Sequence, residues 1–110
     1  MAFTVLLTED AAADLNELYT FISHHDSPAK AEYVLQQIEE KFTSLIEHPE
    51  RGVYPKELIA LGIRDYREIF FKPYRIIYRA DGENVYVYLI VDGRRDMQIL
   101  LQRRLLGGNI

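Results

Sequence analysis

The sequence predicts a single α+β domain over residues 1–110, in which a helical hairpin packs on one face of a mostly antiparallel sheet of about four strands. Three observations lead to this prediction. Two adjacent segments in the first half place apolar residues at helical spacing. Three shorter segments in the second half are rich in β-branched and aromatic residues and are separated by turn sequences. The apolar fraction of 48% is enough for one modest core in a chain of this length.

The first half begins with a strand and a helix. The run from Phe3 to Leu7 is short, bulky and β-branched, which is typical of a strand. Thr8 is a suitable N-cap, and the two acidic residues after it are favourable in the first turn of a helix. Apolar residues then recur at helical spacing, so we expect the first helix to end at about His24.

A second helix follows after a short break and completes a hairpin. The break is the sequence Asp-Ser-Pro, in which Ser27 is the expected N-cap and Pro28 the first helical residue. We expect this helix to end by His48, because a proline follows it. Two helices joined by a short connection form an antiparallel pair. The stripe expected to face the core consists of Ala31, Val34, Leu35, Ile38, Phe42 and Leu45.

A loop then leads to three strands. Residues 49–65 contain proline and glycine, which predicts a long surface loop with room for one helical turn near Leu58. The pair Asp81-Gly82 between the last two strands is a strong hairpin signal. The tail from Arg94 to Leu106 predicts either a short helix or an extended arm. The expected strands are Tyr66–Phe71, Tyr74–Ala80 and Asn84–Val91.

The alternation along the last two strands assigns their faces. Val85, Val87, Leu89 and Val91 would share one apolar face, and we expect that face to contact the helices. The opposite face would carry arginine and tyrosine, and it would stay uncovered because both long helices lie on the other side. Arg and Tyr give contact area and specificity, so such a face favours binding. Its expected members are Arg75, Arg79, Tyr86 and Tyr88, with Arg67 on the preceding strand as a further candidate.

Charge is divided unevenly between the two halves of the chain. Residues 1–55 carry 3 basic and 10 acidic side chains, whereas residues 56–110 carry 10 basic and 7 acidic ones. Of those 10 basic residues, 8 are arginine, which forms planar bidentate pairs with carboxylates and phosphates. We therefore expect an anionic partner to bind the second half. The alternative is an arginine-rich, solvated sheet face that neutralises the acidic helices.

Several classes of site are not expected. The chain has no cysteine, which excludes disulfides and thiolate metal sites and fits a reducing cytoplasm. The three histidines, His24, His25 and His48, lack the spacing of a metal site, and no nucleophile elbow or phosphate-binding motif occurs. A long apolar run and a signal peptide are also missing. We therefore expect no metal, no cofactor and no membrane contact, and a cytoplasmic location.

Metal-independent RNA cleavage is a reaction that an arginine-lined sheet could support. Attack of a 2′-hydroxyl on the neighbouring phosphate needs positive charge, a general base and a general acid. Arg67, Arg75 and Arg95 could supply the charge. Arginine is a poor base because it stays protonated, and no Tyr, His or Lys follows Arg95 in the tail. The chain therefore offers the positive charge that a ribonuclease needs, but it offers few candidates for the general base and the general acid.

The stretch from Tyr66 to Asp96, YREIFFKPYRIIYRADGENVYVYLIVDGRRD, resembles the RelE/ParE superfamily of toxins from type II toxin–antitoxin modules. Together with the N-terminal strand and the helical hairpin, the resemblance covers nearly the whole chain. It implies a compact α+β fold with two helices packed on one face of the sheet. It also implies a cognate antitoxin, whose C-terminal segment wraps the toxin in a heteromeric complex.

The superfamily has two functional branches, and the resemblance favours one of them. RelE-like members cut mRNA on the ribosome, whereas ParE-like members inhibit DNA gyrase. Arg75 and Arg95 correspond to arginines of the RelE type, and Arg67 is the only member kept of a basic pair. The tyrosine expected beyond Arg95 is replaced by Leu101. Because these departures fall on proton-transfer and basic groups, the chain is closer to the ParE-like branch.

The resulting prediction is a gyrase inhibitor that acts by binding and has no catalytic residues of its own. One alternative is a ribosome-dependent mRNA endonuclease, for which the catalytic arginines would be Arg67, Arg75 and Arg95. A second alternative is a non-toxic family member that only binds its antitoxin. The residues expected to bind the target or the partner are Arg75, Arg79, Tyr86, Tyr88, Arg94 and Arg95.

Overall fold

The structure, a computed structural model, describes residues 2–107 and shows the predicted α+β fold. Its four strands form one sheet in the order β1-β4-β3-β2. β1 is parallel to β4, and the two other strand contacts are antiparallel. The elements are β1 (Thr4–Leu7), α1 (Glu9–His25), α2 (Pro28–Thr43) with a 3₁₀ turn (Ser44–Ile46), α3 (Lys56–Ile59), β2 (Arg67–Phe71), β3 (Tyr74–Asp81), β4 (Asn84–Asp92) and α4 (Met97–Leu105).

The two long helices begin directly after the predicted N-caps, Thr8 and Ser27. The Thr8 hydroxyl accepts a hydrogen bond from the backbone N–H of Ala11, and the Ser27 hydroxyl accepts one from Lys30, both at 3.1 Å. Such caps satisfy N–H groups that the first turn of a helix leaves unpaired. α1 and α2 pack together on the sheet. The first core cluster, which joins them to it, contains Ala11, Ile22, Ala31, Val34, Ile38, Phe42, Leu45, Ile69, Ile76, Tyr78, Val85, Val87 and Ile90.

A β-bulge interrupts the pairing of β3 with β4. Ile77 pairs with Leu89, whereas the next residue of β3, Tyr78, pairs with Val87. Tyr88 is therefore an extra residue in β4. An insertion of this kind bends the strand and reverses the alternation of its side chains beyond the bulge.

The bulge corrects the predicted faces of β4. Val85 and Val87 face the helical hairpin, as predicted, and they belong to the first core cluster. The prediction that Leu89 and Val91 share that face is wrong, because both belong to a separate apolar cluster on the opposite face. Ile90 takes their place under the hairpin. Strict alternation along β4 therefore assigns the side chains in the second half of this strand to the wrong face of the sheet.

The opposite face of the sheet is partly covered, which corrects the prediction that it stays open. The apolar residues that the bulge turns to this side need a cover of their own, because exposed apolar surface is unfavourable in water. α3 and α4 provide that cover. The second core cluster contains Leu58, Tyr66, Ile77, Leu89, Val91, Met97 and Leu101.

The segment between α2 and β2 is fixed to the sheet. The Tyr78 hydroxyl donates to the carbonyl of Pro49 (2.7 Å) and accepts from the N–H of Gly52 (3.0 Å). Gly52 is required for this approach, because a Cβ there would lie 2.6 Å from the Tyr78 hydroxyl oxygen. Val53 then exchanges two backbone hydrogen bonds with Glu68. The predicted loop is therefore anchored at its start, and its predicted helical turn is present as α3.

The chain continues after β4 into a helix, α4, rather than an extended arm. Asp96 caps its first turn. Arg104 donates to the Asp14 carboxylate of α1 (2.8 Å) and to the backbone carbonyl of Tyr88 (2.9 Å). The same carboxylate accepts from the backbone N–H of Ile90 (2.9 Å), so α1, β4 and α4 meet at one buried ion pair. In the described part of the chain, no helix combines the length and the apolar character that crossing a membrane requires.

Candidate functional site

Arg75 lies at the centre of a buried ion cluster on the face opposite the helical hairpin, where it is 9% exposed. Its Nε donates to Oε1 of Glu68 (2.7 Å). Its two terminal nitrogens donate to the two carboxylate oxygens of Glu57 (2.9 and 2.8 Å). The guanidinium is therefore held by one carboxylate from β2 and one from α3. Arg75 takes the face that the alternation of β3 predicts, but α3 covers it, so the expectation of an open arginine is wrong.

The pKa values of the two carboxylates in this cluster shift in opposite directions. The hydrogen bonds from Arg75 outweigh burial and lower the pKa of Glu57 below its usual value. Burial outweighs the hydrogen bond from Arg75 at Glu68 and raises the pKa of that carboxyl. The hydrogen bond with Glu57, more than the one with Glu68, raises the pKa of Arg75. The arginine therefore keeps its charge, and Glu57 is its most favourable partner.

Arg75 also supports the turn that follows β4. Gly93 lies against its methylene groups, where a Cβ would be only 2.6 Å from Cδ of the arginine. The N–H of Gly93 donates to the carbonyl of Pro73 (2.8 Å). A larger residue at this position would have to displace the arginine, because protein interiors leave little free space. The buried cluster thus anchors the start of the turn that carries Arg94 and Arg95.

Arg67 lies on the face of the sheet that contacts the helical hairpin, and its guanidinium is hydrogen-bonded there. It pairs with Tyr78, a member of the first core cluster, and directly paired residues share a face. Its terminal nitrogens donate to the carbonyl of Gly52 (2.9 Å) and to the hydroxyl of Tyr54 (3.2 Å). Its guanidinium carbon lies 4.6 Å from the centre of the Tyr54 ring. Arg67 and Arg75 therefore do not face a common site.

The structure places Arg79, Tyr86 and Tyr88 together, and we call these three residues the tyrosine patch. Arg79 pairs directly with Tyr86. The rings of Tyr86 and Tyr88 meet edge to face with centroids 6.4 Å apart, and Tyr66 makes a similar contact with Tyr88 at 5.5 Å. Burial raises the pKa of Tyr88. All three members of the patch are half-exposed, so they are accessible to a partner.

Arg94 and Arg95, which we call the arginine turn, connect β4 to α4. The Arg94 side chain is 77% exposed and donates to both oxygens of Asp92 (2.9 and 2.6 Å). These hydrogen bonds lower the pKa of Asp92. Arg95 is exposed, and its side chain makes no hydrogen bond or ion pair with another residue between 2 and 107. The arginine turn therefore presents positive charge to solvent.

A groove of about 410 Å³ lies beside the arginine turn, between α1 and the end of β4. Phe21 is the most exposed of its apolar side chains (59%), and its ring stacks on His25 with centroids 4.0 Å apart. The groove is acidic along α1 and basic at the turn, so it offers both charges beside an apolar surface. Its apolar side chains are Leu18, Phe21, Tyr74, Ile90 and Val91, and its charged ones are Asp14, Glu17, Asp92, Arg94 and Arg95.

The three arginines that phosphate chemistry would need do not converge. Arg67 and Arg75 lie on opposite faces of the sheet and are both engaged, whereas Arg95 lines the groove beside α1. Over residues 2–107, no three His, Asp or Glu side chains gather as metal ligands would. The accessible features are therefore the groove, the arginine turn and the tyrosine patch. Together they are suited to recognising a partner.

Sequence reasoning missed the residues that hold the charged side chains in place. Glu68 interrupts an otherwise apolar part of β2, and an acidic residue in such a strand is a signal for a buried cation. Glu57 lies in a segment without periodicity, so no pattern predicts its contact with Arg75. Asp14 and Arg104 are 90 residues apart in sequence, and only the folded chain brings them together.

Comparison with known proteins identifies similar chains. The model of the ParE toxin of the type II toxin–antitoxin system parDE matches residues 5–97. Toxin ParE3 of Caulobacter vibrioides is 27% identical over 100 residues, covering 91% of this chain and 96% of that protein. The chromosomal ParDE system of P. aeruginosa has a similar fold, with a TM-score of 0.70 at 23% identity over 83% of this chain and 96% of that one. A mutant of E. coli toxin RelE in the free state has a TM-score of 0.64 at 16% identity over both full chains.

Proposed function

This chain belongs to the ParE toxin family of type II toxin–antitoxin systems, and we propose that it inhibits DNA gyrase in the cytoplasm and is neutralised by a cognate antitoxin. Inhibition by binding requires a shaped and charged surface but no acid–base groups. The accessible features described above fit that requirement. The observation that carries the proposal is the separation of Arg67, Arg75 and Arg95, because two of these arginines are engaged within the fold.

The proposed binding residues divide into two surfaces. The arginine turn and the adjoining groove combine positive charge with exposed apolar area, which suits a partner segment carrying both acidic and apolar side chains. The tyrosine patch lies on the other face of the sheet and offers aromatic contact area with one arginine. Two separate surfaces would allow target and antitoxin to bind at different places.

Expression in cells under an inducible promoter tests the proposed target. We expect filamentation and DNA breaks, and both should disappear in a strain whose gyrase is resistant to this toxin. Purified gyrase should lose supercoiling activity when the purified protein is added. Co-expression of the antitoxin encoded beside this gene should restore growth. Damage that persists unchanged in the resistant strain would rule out gyrase as the target.

A RelE-like ribosome-dependent mRNA endonuclease is the second candidate. It is favoured by the fold shared with RelE over the whole chain and by the exposed position of Arg95. Rapid arrest of translation with mRNA cuts at fixed codon positions would support it in place of the gyrase proposal. Cuts of that kind should be lost with Arg95→Ala if this arginine contacts the scissile phosphate. Absence of any growth effect would instead identify a non-toxic member that only binds its antitoxin.

A further inference from the structure

Five charged side chains line the groove beside the arginine turn, and three of them are already paired within the chain. Asp14 accepts a hydrogen bond from an arginine of α4 (2.8 Å), and Asp92 accepts one from Arg94 (2.6 Å). The other two, Glu17 on α1 and Arg95 in the turn, are exposed, and their side chains make no ion pair or hydrogen bond with any residue between 2 and 107. The groove is therefore left with one unpaired acid and one unpaired base, on opposite walls.

An exposed aromatic ring adjoins the unpaired acid. Phe21 follows Glu17 by four residues, so the two side chains lie one turn apart on the same face of α1. Phe21 is 59% exposed, and its ring stacks on His25 with centroids 4.0 Å apart. An exposed ring is unfavourable in water, and it gains free energy when another surface covers it. The outer face of α1 therefore presents an acidic and an apolar side chain together.

This face of α1 has the two properties that the groove requires of a partner segment. The groove combines apolar side chains from α1, β3 and β4 with the positive charge of Arg95. A segment that fills it should carry an apolar side chain for the groove and, one helical turn away, an acid for the arginine. Phe21 and Glu17 of a second copy of the chain meet this description. The chain therefore offers on one wall of the groove what the other wall accepts.

Twofold symmetry allows both copies to make the same contacts. In a dimer whose twofold axis runs along the groove, the α1 wall of each copy lies opposite the arginine turn of the other. Glu17 of one copy then meets Arg95 of its partner, and the reverse pair forms at the same time. A carboxylate and a guanidinium form charge-assisted hydrogen bonds, which are stronger than neutral ones. This one arrangement pairs both of the charges that the groove leaves unpaired.

We propose that two copies of the free protein associate through this groove, with Phe21 of each copy packed against the apolar side chains of the other and Glu17 paired with Arg95 across the twofold axis. The contact involves one helix and one turn from each copy, which is less than the area of a standard interface. Small interfaces are typical of transient association. The dimer therefore forms at high protein concentration, with a dissociation constant on the order of 10 µM or weaker.

The dimer has a consequence for partner binding. The groove cannot hold a second copy and another partner at once, so an antitoxin that binds there must first separate the dimer. This consequence rests on the proposed function, whereas the dimer itself does not, because it forms in the free protein. The supercoiling assay with purified gyrase therefore decides the proposed function independently of whether the dimer exists.

Sedimentation velocity of the purified chain, without gyrase or antitoxin, tests the dimer. We expect the average mass to rise from that of a monomer toward that of a dimer as the protein concentration increases. Phe21→Ser should weaken the dimer by at least about tenfold, because it removes the apolar anchor. Tyr33→Ser is the matched control, since it removes a similarly exposed ring (51%) from α2, outside the groove. This control should dimerise as the unmodified protein does.

Both substitutions change exposed side chains, so the fold is retained, which circular dichroism verifies. An unmodified chain that stays monomeric at every concentration overturns the proposal. Phe21→Ser that dimerises as strongly as the unmodified protein overturns it as well. Equal losses in Phe21→Ser and Tyr33→Ser would place the contact on another face of the molecule and would also overturn it.

A mixing experiment tests the reciprocal ion pairs. Glu17→Arg alone and Arg95→Glu alone each place like charges opposite each other at both contacts, so each dimer should be weakened by about tenfold or more. In an equimolar mixture of the two variants, both contacts again join opposite charges, and the dimer should return. A merely structural effect of either substitution cannot be rescued by mixing.

Glu39→Arg is the matched control for the charge reversal, because it changes an exposed acid of α2 that does not line the groove. It should dimerise as the unmodified protein does. Loss of the dimer in this control would assign the contact to α2 and overturn the proposal. Failure of the mixture to recover the dimer, or dimerisation of both single variants at the unmodified level, would overturn the pairing of Glu17 with Arg95.

Discussion

The buried cluster around Arg75 and the arginine turn are neighbours in space, connected through Gly93, yet their arginines are in opposite environments. Arg75 is almost fully buried and shared by two carboxylates. Arg94 and Arg95 are exposed, and the partner that Arg94 has among residues 2–107, Asp92, is itself partly exposed. Arginines in a sequence therefore indicate positive charge that a partner could contact only where the fold leaves their side chains exposed. Arg75 is held within the fold by two carboxylates, whereas the arginine turn presents its charge to solvent.

The two regions also differ in what each loses when its arginine is removed. Removing Arg75 leaves two carboxylates in a poorly solvated place, and an unpaired buried charge is costly. Removing an exposed arginine leaves Asp92 in contact with water, which can solvate it. The same substitution is therefore expected to unfold the protein at one site and to weaken only binding at the other.

Arg75→Ala gives the largest expected loss of stability. The free energy of unfolding should fall by about 3–5 kcal/mol, because Glu57 and Glu68 lose their shared cation while they stay largely buried. The cavity left beside Gly93 adds to the loss. Urea denaturation followed by circular dichroism at neutral pH measures this change.

The matched control for Arg75→Ala is Arg94→Ala, which removes the same side chain from the arginine turn. Its urea midpoint should equal that of the unmodified protein within error. Equal losses of stability in the two variants would contradict the contrast between a structural and an accessible arginine.

Asp14→Ala should be the next most destabilising substitution, at about 2 kcal/mol. It leaves the backbone N–H of Ile90 without its acceptor and takes from Arg104 its buried partner on α1, while the exposed Asp10 stays 3.6 Å from the arginine. This site tests whether burial decides the effect, since Arg104 pairs with a buried carboxylate, Asp14, and with an exposed one, Asp10. Thermal unfolding by calorimetry provides the measurement.

Asp14→Asn separates the two roles of this carboxylate. An amide oxygen still accepts from Ile90 but carries no charge for Arg104, so about half of the loss should be recovered. If Asp14→Asn is as unstable as Asp14→Ala, the hydrogen bond to β4 contributes little and the charge carries the effect.

Glu57→Gln should have a smaller effect that depends on pH. The pKa of Glu57 is lowered in the folded protein, so its ionised form favours folding above the ordinary value of 4.5, and this contribution is lost as pH falls through the folded pKa. We expect the variant to be less stable than the unmodified protein at pH 7 by about 1.5 kcal/mol. Urea denaturation between pH 7 and pH 3 should show the two proteins converging in acid.

Glu68→Gln is the control with the opposite sign. Burial raises the pKa of Glu68, so its ionised form disfavours folding, and protonation of this group as pH falls adds stability. Glu68→Gln should therefore be more stable than the unmodified protein near pH 7. This difference in stability should shrink as the pH falls, because the unmodified protein gains stability when Glu68 is protonated. A parallel response of both variants to pH would show that the two carboxylates are equivalent.

Most of the fold follows from patterns that the sequence displays locally. The N-caps Thr8 and Ser27, the proline at position 28 and the Asp81-Gly82 turn are local signals, and the elements that they predict are present. The faces of β4 beyond Val87 could not be predicted, because a β-bulge depends on how two strands fit together and leaves no fixed signature.

The candidate site was predictable in its residue types but not in its environment. Arg94 and Arg95 follow the last strand and stand at a turn, where exposure is the ordinary outcome. The masking of Arg75 depends on Glu57, which reaches the arginine only after α3 docks through Leu58. That contact joins a loop to a strand 18 positions away, and such long-range pairs are set by packing rather than by local sequence.

The arginine turn should show its effect in binding alone. In the double variant Arg94→Ala/Arg95→Ala, affinity for the cognate antitoxin should fall by about tenfold, with a weaker dependence on salt, because charges at the rim of an interface act mainly on association. Biolayer interferometry at two salt concentrations measures both effects. Arg103→Ala is the matched control, since it removes an exposed arginine of α4 outside the groove and should leave affinity unchanged. Loss of affinity in the control but not in the double variant would move the partner site from the groove to α4. Loss of thermal stability in the double variant would show that these arginines support the fold, and the contrast with Arg75 would then fail.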